Sequence, residues 1–538
     1  MIVLCHGITI ALAEERASFS CKDCNVLVVS IDTLRADHLG CYGYPRPTSP
    51  NIDRFRKESV LFRTAIAHAP STEPSHASIF TSMIPAHHGA LRAKRVPISK
   101  NVVTMAEILR SAGYRTVSFN GGGQVGAPYG FDRGFEVYES SPGKFSEKVG
   151  AAIDWLDENA DGKFFLFLHT YEVHAPYQST GDYLKLFEKN YSGTLPETIA
   201  PGLLIKINSG AVGIDGADVQ HIVNAYDAQI RSMDDAFGRL ITHLRSTRRQ
   251  DRTLIVFTSD HGEEFGEHGQ IGRHSHALYD ELLRVPLIVR MPGARFASTV
   301  VERQVRGIDI LPTVLDVLGL QSLAQFEGST LTGLLLQRQE DERVAVSQLD
   351  TTDRLPPSSI RTESRKLILG PRSFVPQQPG YQWYKDRVEI VTDAQHLRLP
   401  MESFQVPRTV KITVGGELVR RVIIPPRKQV VSIPFRTPGT RTVTIESMTA
   451  CTRTEEVGAD LDLPCASFRI FNPFEYFRLD DDPGEQHNLF TDSAHREEIA
   501  QLQQQLEAAL SNAPATGEEP VELDERTRER LKALGYDD

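Results

Sequence analysis

Residues 25–31 read Asn-Val-Leu-Val-Val-Ser-Ile, and Asp32 follows them directly. A run this short, continuously apolar and rich in β-branched residues is a strand buried on both faces, as strands of a parallel sheet are. Thr116–Phe119, Phe164–His169, Leu254–Thr258 and Pro286–Arg290 have the same character, and they alternate with helical patterns at Met105–Ala112 and Phe145–Asn159. That alternation predicts a doubly wound, mostly parallel α/β sheet. The clearest helix is His221–Leu244, where Ile222, Tyr226, Ile230, Met233, Phe237, Leu240, Ile241 and Leu244 recur at helical spacing and form a packing face.

Beyond this region the texture changes. From Thr409 to Phe471 short β-rich runs (Val410–Val414, Val419–Ile424, Val430–Phe435, Arg441–Ser447) are punctuated by Gly and Pro, which reads as an all-β insertion. Ala494–Leu510 is an amphipathic helix, and a polar stretch, 511–522, leads to a last short helical piece ending at Gly535. The chain of 538 residues exceeds the length at which one core stops growing, so more than one domain is expected. We divide it into an N-terminal segment (1–24), a catalytic domain (25–370), a β-rich insertion (371–473) and a C-terminal segment with a helix (474–538), a smaller β-containing part following the main sheet.

A net charge of −11 without any long basic run excludes nucleic acid as the expected partner. Six cysteines do not make a disulfide scaffold; Cys21-Cys24 reads as an adventitious pair or local disulfide before a zinc site, and Cys451 and Cys465 are spaced for a local bridge. Met1–Ala13 is apolar but too short to span a membrane and lacks a basic leader, so no integral membrane span is expected. Read as the remnant of a signal starting upstream, it favours a periplasmic or extracellular location over a cytoplasmic one.

In open α/β sheets ligands bind beyond the carboxyl ends of strands. Two strand ends carry acidic groups here: the first delivers Asp32-Thr33, and Thr253–Ser259 delivers Asp260-His261-Gly262-Glu263-Glu264. Taken singly, each Asp reads as a helix N-cap or turn residue. Taken together, Asp32 and the Asp260-His261 pair read as ligands of one divalent metal, with hard carboxylate oxygens and a borderline imidazole nitrogen.

At this point the chain resembles the sulfatases. Asn25–Tyr44 (NVLVVSIDTLRADHLGCYGY), Thr72–Ser82 (TEPSHASIFTS), His174–Tyr177 (HAPY), Ser259–Glu264 (SDHGEE), Leu278–Pro286 (LYDELLRVP), Asp309–Leu320 (DILPTVLDVLGL) and Leu479–Leu489 (LDDDPGEQHNL) look like successive sulfatase blocks in family order. The resemblance runs from Asn25 to Arg365 and from Phe474 to Leu489; the β-rich stretch between lies outside it. It implies an alkaline-phosphatase-like fold and one divalent ion (Ca, Mn or Zn) held by Asp32, Thr33, Thr72, Asp260 and His261. It also implies that His174 and His274 face the transferred group or a metal, with His276 less secure. His76 stands where the family has Arg, placed to contact substrate or, alternatively, to stabilise its helix.

Two departures matter. The family's Cys or Ser, oxidised to formylglycine, is replaced by Thr72, which cannot be the usual precursor of that aldehyde. Neither charged group of the family's Gly-Lys-Trp-His block is present where Asn120-Gly121-Gly122-Gly123-Gln124 stands; this run reads equally as an anion cradle or as a strand-to-helix loop. The expectation is therefore a metal-dependent hydrolase of small-molecule or glycan sulfate or phosphate esters with Thr72 as covalent nucleophile. Phosphate is preferred, because a threonine ester must be cleaved by an incoming nucleophile. The alternatives are a phosphoethanolamine or phosphoglycerol transferase acting on a cell-envelope acceptor, and a non-catalytic glycan-binding relative. His87, His88, His169 and His268 read as structural or surface residues, and Arg35 and Asp37 as a supporting ion pair.

Overall fold

In the computed structural model the described residues are 20–534, apart from 92–94, 160, 179–181, 209–210, 323, 352–355, 371–381, 385–386, 393–395, 404–407, 425–428, 435–440, 449–467, 471–473, 491 and 512–518. Met1–Ala13, Cys451, Cys465 and Gly535 lie outside them. Eight strands make the central sheet: β1 (Asn25–Ile31), β2 (Val60–Ile66), β3 (Arg115–Asn120), β4 (Val137–Ser140), β5 (Phe164–Thr170), β6 (Thr253–Thr258), β7 (Arg284–Arg290) and β8 (Val300–Arg306). Their spatial order is β8-β2-β7-β6-β1-β5-β3-β4.

β1 lies centrally, parallel to β5 on one side and β6 on the other. Its residues alternate between two cores. Val26 and Val28 face one built with α1 (Thr72–Thr81), α2 (Met105–Ser111) and α5 (Ile310–Leu318). Leu27, Val29 and Ile31 face the other, built with α3 (Phe145–Glu158) and α4 (Gly216–Ser246). Burial on both faces is why the run carries no polar alternation.

Four features of the sheet were not legible beforehand. β2, β4 and β8 extend it beyond the expected strands, and β7, which reads like β1 in sequence, runs antiparallel to both β6 and β2. Between β6 and β7 the helical segment is only Asp280–Leu283, shorter than the crossover a parallel return needs.

A smaller antiparallel sheet orders Ala345–Gln348, Ser358–Arg361, Arg365–Leu369 and Glu475–Arg478. The last two pair directly, Arg365 opposite Arg478 and Ile368 opposite Glu475. The strands between Gln382 and Ile470 form two further four-stranded antiparallel sheets, and α6 (Arg496–Leu510) and α7 (Glu525–Ala533) follow. Cys21 and Cys24 form a disulfide.

Candidate active site

The register of the central strands sets the site. Ser30 on β1 is level with His169 on β5 and Thr258 on β6, and the Asp32 N–H continues the ladder to the Thr170 carbonyl at 3.0 Å. Asp32 and the Asp260-His261 pair therefore emerge side by side, all fully buried. One ligand atom from each lies within 4.8 Å of the others. Atoms bound to one ion at about 2.0–2.5 Å lie no more than about 5 Å apart, so the spacing suits a shared cation.

The hydrogen bonds fit the same reading. His261 Nδ1 donates to the Gly262 carbonyl at 2.9 Å, which leaves Nε2 as the lone-pair nitrogen facing Asp260 Oδ2 at 3.4 Å. Asp32 Oδ1 and Asp260 Oδ2 are buried with no hydrogen-bond donor among the described residues. Burial and the neighbouring Asp260 charge push the Asp32 carboxyl well above its usual range. Asp260 goes the other way: burial opposes its ionisation, but His261 and His76 outweigh it. Two buried carboxylates in contact are stable as anions only with a compensating cation.

Thr72 opens α1, a helix buried along all its residues. The Thr72 hydroxyl donates to Asp32 Oδ2 at 3.1 Å and lies 3.4 Å from His261 Nε2. His76, one turn on, is held at both nitrogens: Nδ1 donates to the Thr72 carbonyl at 2.9 Å, and Nε2 accepts from Ser30 Oγ at 2.9 Å. Nδ1 is also 3.4 Å from Asp260 Oδ2. His76 is thus placed behind Thr72, fully buried, with both nitrogens turned to protein atoms.

Thr33 has a left-handed backbone, φ 56°, uncommon for a β-branched residue. Its hydroxyl donates to the Asp32 carbonyl at 2.8 Å, and its own carbonyl accepts from Tyr226 on α4 at 2.7 Å. The strained turn is fixed by these bonds, and the Thr33 side chain bonds to backbone.

The histidines past the cluster form a row. The His274 ring lies 4.6 Å from that of His261 and 5.0 Å from that of His174. His274 Nδ1 donates to Glu263 Oε1 at 2.9 Å, and Tyr177 donates to the other oxygen at 2.8 Å. His174 Nδ1 donates to the Ala175 carbonyl, and burial followed by the nearby His274 brings its pKa to about 4, so it is neutral at pH 7. His276 is turned aside onto Glu264 at 2.7 Å.

Two buried residues here had no separate role in the sequence reading. His169 Nδ1 accepts from Gly121 N–H at 3.3 Å and turns Nε2 toward Asp32 Oδ2 at 3.6 Å. Glu263 orients His274; the signal was present in SDHGEE, but two adjacent glutamates do not say which faces inward. Arg35 pairs with Asp37 at 2.8 Å and with Glu267 at 2.6 Å, and donates to the Glu263 carbonyl at 2.9 Å. His87 pairs with Glu327, and His88 is buried between Ser78 and the Pro74 carbonyl.

The sulfatase family model matches residues 24–320. The multifunctional alkaline phosphatase superfamily protein PehA of Trinickia caryophylli is 26% identical over 403 residues, 58% of this chain and 77% of its own. Human iduronate 2-sulfatase is 26% identical over 353 residues, 53% of this chain and 63% of its own. In fold, the chain resembles the phosphonate monoester hydrolase of Agrobacterium radiobacter (TM-score 0.60, 18% identity, covering 91% of this chain and 96% of that one). It also resembles a protein solved with its substrate D-glucosamine-2-N,6-O-disulfate (TM-score 0.61, 17% identity, 93% and 100%). With the family model covering more than half of the chain and the two-carboxylate, one-imidazole cluster at its strand ends, this protein belongs to the sulfatase family of the alkaline phosphatase superfamily.

Proposed function

We propose that this sulfatase-family hydrolase cleaves phosphate esters in preference to sulfate esters through a covalent intermediate on Thr72. The observation that carries the reading is the Thr72 hydroxyl itself, bonded to Asp32 at 3.1 Å and 3.4 Å from the lone-pair nitrogen of His261. The donor set of Asp32, Asp260 and His261 fits one divalent ion, and the imidazole nitrogen brings Mn and Zn level with Ca. Such an ion supplies a Lewis acid that favours the ionised threonine hydroxyl and neutralises charge on the transferred group.

The protein's own residues do the rest. Asp32 accepts the Thr72 proton along the existing hydrogen bond while the threonine oxygen attacks phosphorus and the bond to the alcohol oxygen breaks. His274, entering as the imidazolium with Glu263 behind it, gives a proton to the departing oxygen and takes one back from the water of the second step, when Asp32 returns its own to Thr72; His174 and His274 together line the place of the remaining oxygens. His76 positions Thr72 through its carbonyl. A water then displaces the threonine oxygen from phosphorus, releasing phosphate and restoring the hydroxyl. That second step is the reason for preferring phosphate: a threonine ester has no aldehyde to collapse to.

The test compares phenyl phosphate with phenyl sulfate, the protein being loaded with Ca, Mn or Zn. Phosphate should turn over faster, with phospho-threonine at residue 72 visible by mass spectrometry after acid quench. Activity confined to the sulfate ester would overturn the reading.

A further inference from the structure

Helix α7 is capped by Asp524, whose side chain accepts the Thr527 N–H at 2.8 Å, and is anchored by Leu523 and Leu531 in the same core as β1. From this base it lays Arg530 onto the glycine run beside β3. A Cβ built on Gly122, at φ +65°, would stand 2.3 Å from Arg530 Nη1 and 2.7 Å from its Cζ. One on Gly123 would meet Leu534 Cδ1 at 3.4 Å. The glycines therefore leave room for a guanidinium lying flat on the backbone, brought from roughly 400 residues further along the chain.

Arg530 is half-buried and has no carboxylate partner among the described residues; its electrostatic neighbours include Tyr171, Arg526, Lys148 and His169. It lines a cavity of about 350 Å³ with Lys144, Tyr171 and His174. Two carboxylates border the same space. Glu172 is occupied by the Phe145 N–H at 2.7 Å and Ser232 Oγ at 2.6 Å, and Glu147 packs against Gly143. A guanidinium taken partly out of water without a counter-ion is a fork of donors suited to a carboxylate, sulfate or phosphate. His174, in the same lining, meets His274 and, through it, the candidate metal cluster.

We propose that this cavity receives the alcohol part of the ester and that Arg530, with Lys144, binds a second acid group on it, making Arg530 a specificity-determining residue. The proposal rests on the reading that His274 protonates the departing oxygen, which puts the alcohol part beside the neighbouring His174 and the cavity it lines. It predicts substrates that carry an anion in addition to the ester cleaved.

The test uses full-length, metal-loaded Thr72→Ala protein, so that binding is read by calorimetry without turnover. 4-Carboxyphenyl phosphate is compared with phenyl phosphate, and the corresponding sulfate esters form a second pair. The parent should bind the carboxylated member of a pair about ten- to a hundredfold more tightly, as expected for a partly buried charge-assisted contact. Arg530→Gln should collapse that preference to under about threefold, and Arg530→Lys should restore part of it. A parent without preference, or a preference that survives Arg530→Gln, overturns the proposal. Failure of the nucleophile reading looks different: the wild type would turn over neither phosphate ester while the binding preference persisted.

Discussion

Two buried charge clusters lie in the same chain and are built in opposite ways. At the strand ends, Asp32 and Asp260 face each other with one oxygen apiece lacking a donor among the described residues. Where the small C-terminal sheet meets the segment after β6, Asp280 is held by Arg361 and Lys366, each at 2.8 Å, and its N–H donates to Glu485 at 2.6 Å. Lys366 Nζ also lies 2.8 Å from Glu485 Oε1, close enough for strong attraction although poorly angled for a hydrogen bond. The second cluster is closed by the protein's own cations; the first is short of positive charge. Both clusters are largely withdrawn from water, so what separates them is whether the counter-charge comes with the sequence.

The comparison breaks first at Thr72. Thr72→Ala should lower kcat by at least about 10⁴-fold while leaving metal content and melting temperature near wild type, because it removes the attacking atom and neither carboxylate. Retained turnover in a steady-state assay would end the covalent reading. Next in size is Lys366→Met, which leaves Asp280 and Glu485 with one cation too few. It should cost about 3–5 kcal/mol in urea unfolding, equally with and without metal.

Asp32→Asn should have opposite signs in two conditions. Metal affinity, by elemental analysis and titration, should fall about a hundredfold, whereas the metal-stripped variant should be more stable than stripped wild type by about 1 kcal/mol, since one of two repelling carboxylates is gone. Destabilisation of the stripped form would show that the open cluster is closed in some other way.

A smaller effect than the loss of metal affinity concerns His268, which donates to Glu281 at 2.6 Å and contacts the Glu485 carbonyl. Burial opposes its protonation, but these partners raise its pKa to about 9. The folded state therefore holds the proton more tightly than the unfolded chain, whose histidine titrates near 6.5. The stabilisation is fully present below that value and is lost as pH rises toward 9. His268→Gln should flatten this slope, worth about 2 kcal/mol in melts across that range.

The layout of the site was legible to the extent that it lies at strand ends. β1 and β6 could be read as apolar runs, so the residues just beyond them could be named. What lay outside that logic is residue-specific. Periodicity carries no strand direction, hence the unexpected antiparallel β7. It also assigns no direction to side chains in irregular segments, hence Thr33, whose hydroxyl turns to the Asp32 backbone, and His76, enclosed behind Thr72. His169 sat inside a strand and reads as core until β5 is placed beside β1. Arg530 is separated from Gly122 by most of the chain, and no local pattern links them. The expected insertion at 371–473 stands as a proposal supported by the pairing of the strands that flank it, and deleting it should leave metal binding intact.

That the core around Val26 and Val28 also contains Leu523 and Leu531 has a consequence in time. A chain made at roughly 5–20 residues per second needs about half a minute to two minutes to supply both ends of that core. Throughout this interval the first strand has emerged and its last apolar partners do not yet exist, so synthesis passes through a long stage with one face of the sheet incompletely covered. Such a stage invites chaperone binding, and slowing translation of the stretch before Leu523 should lengthen it.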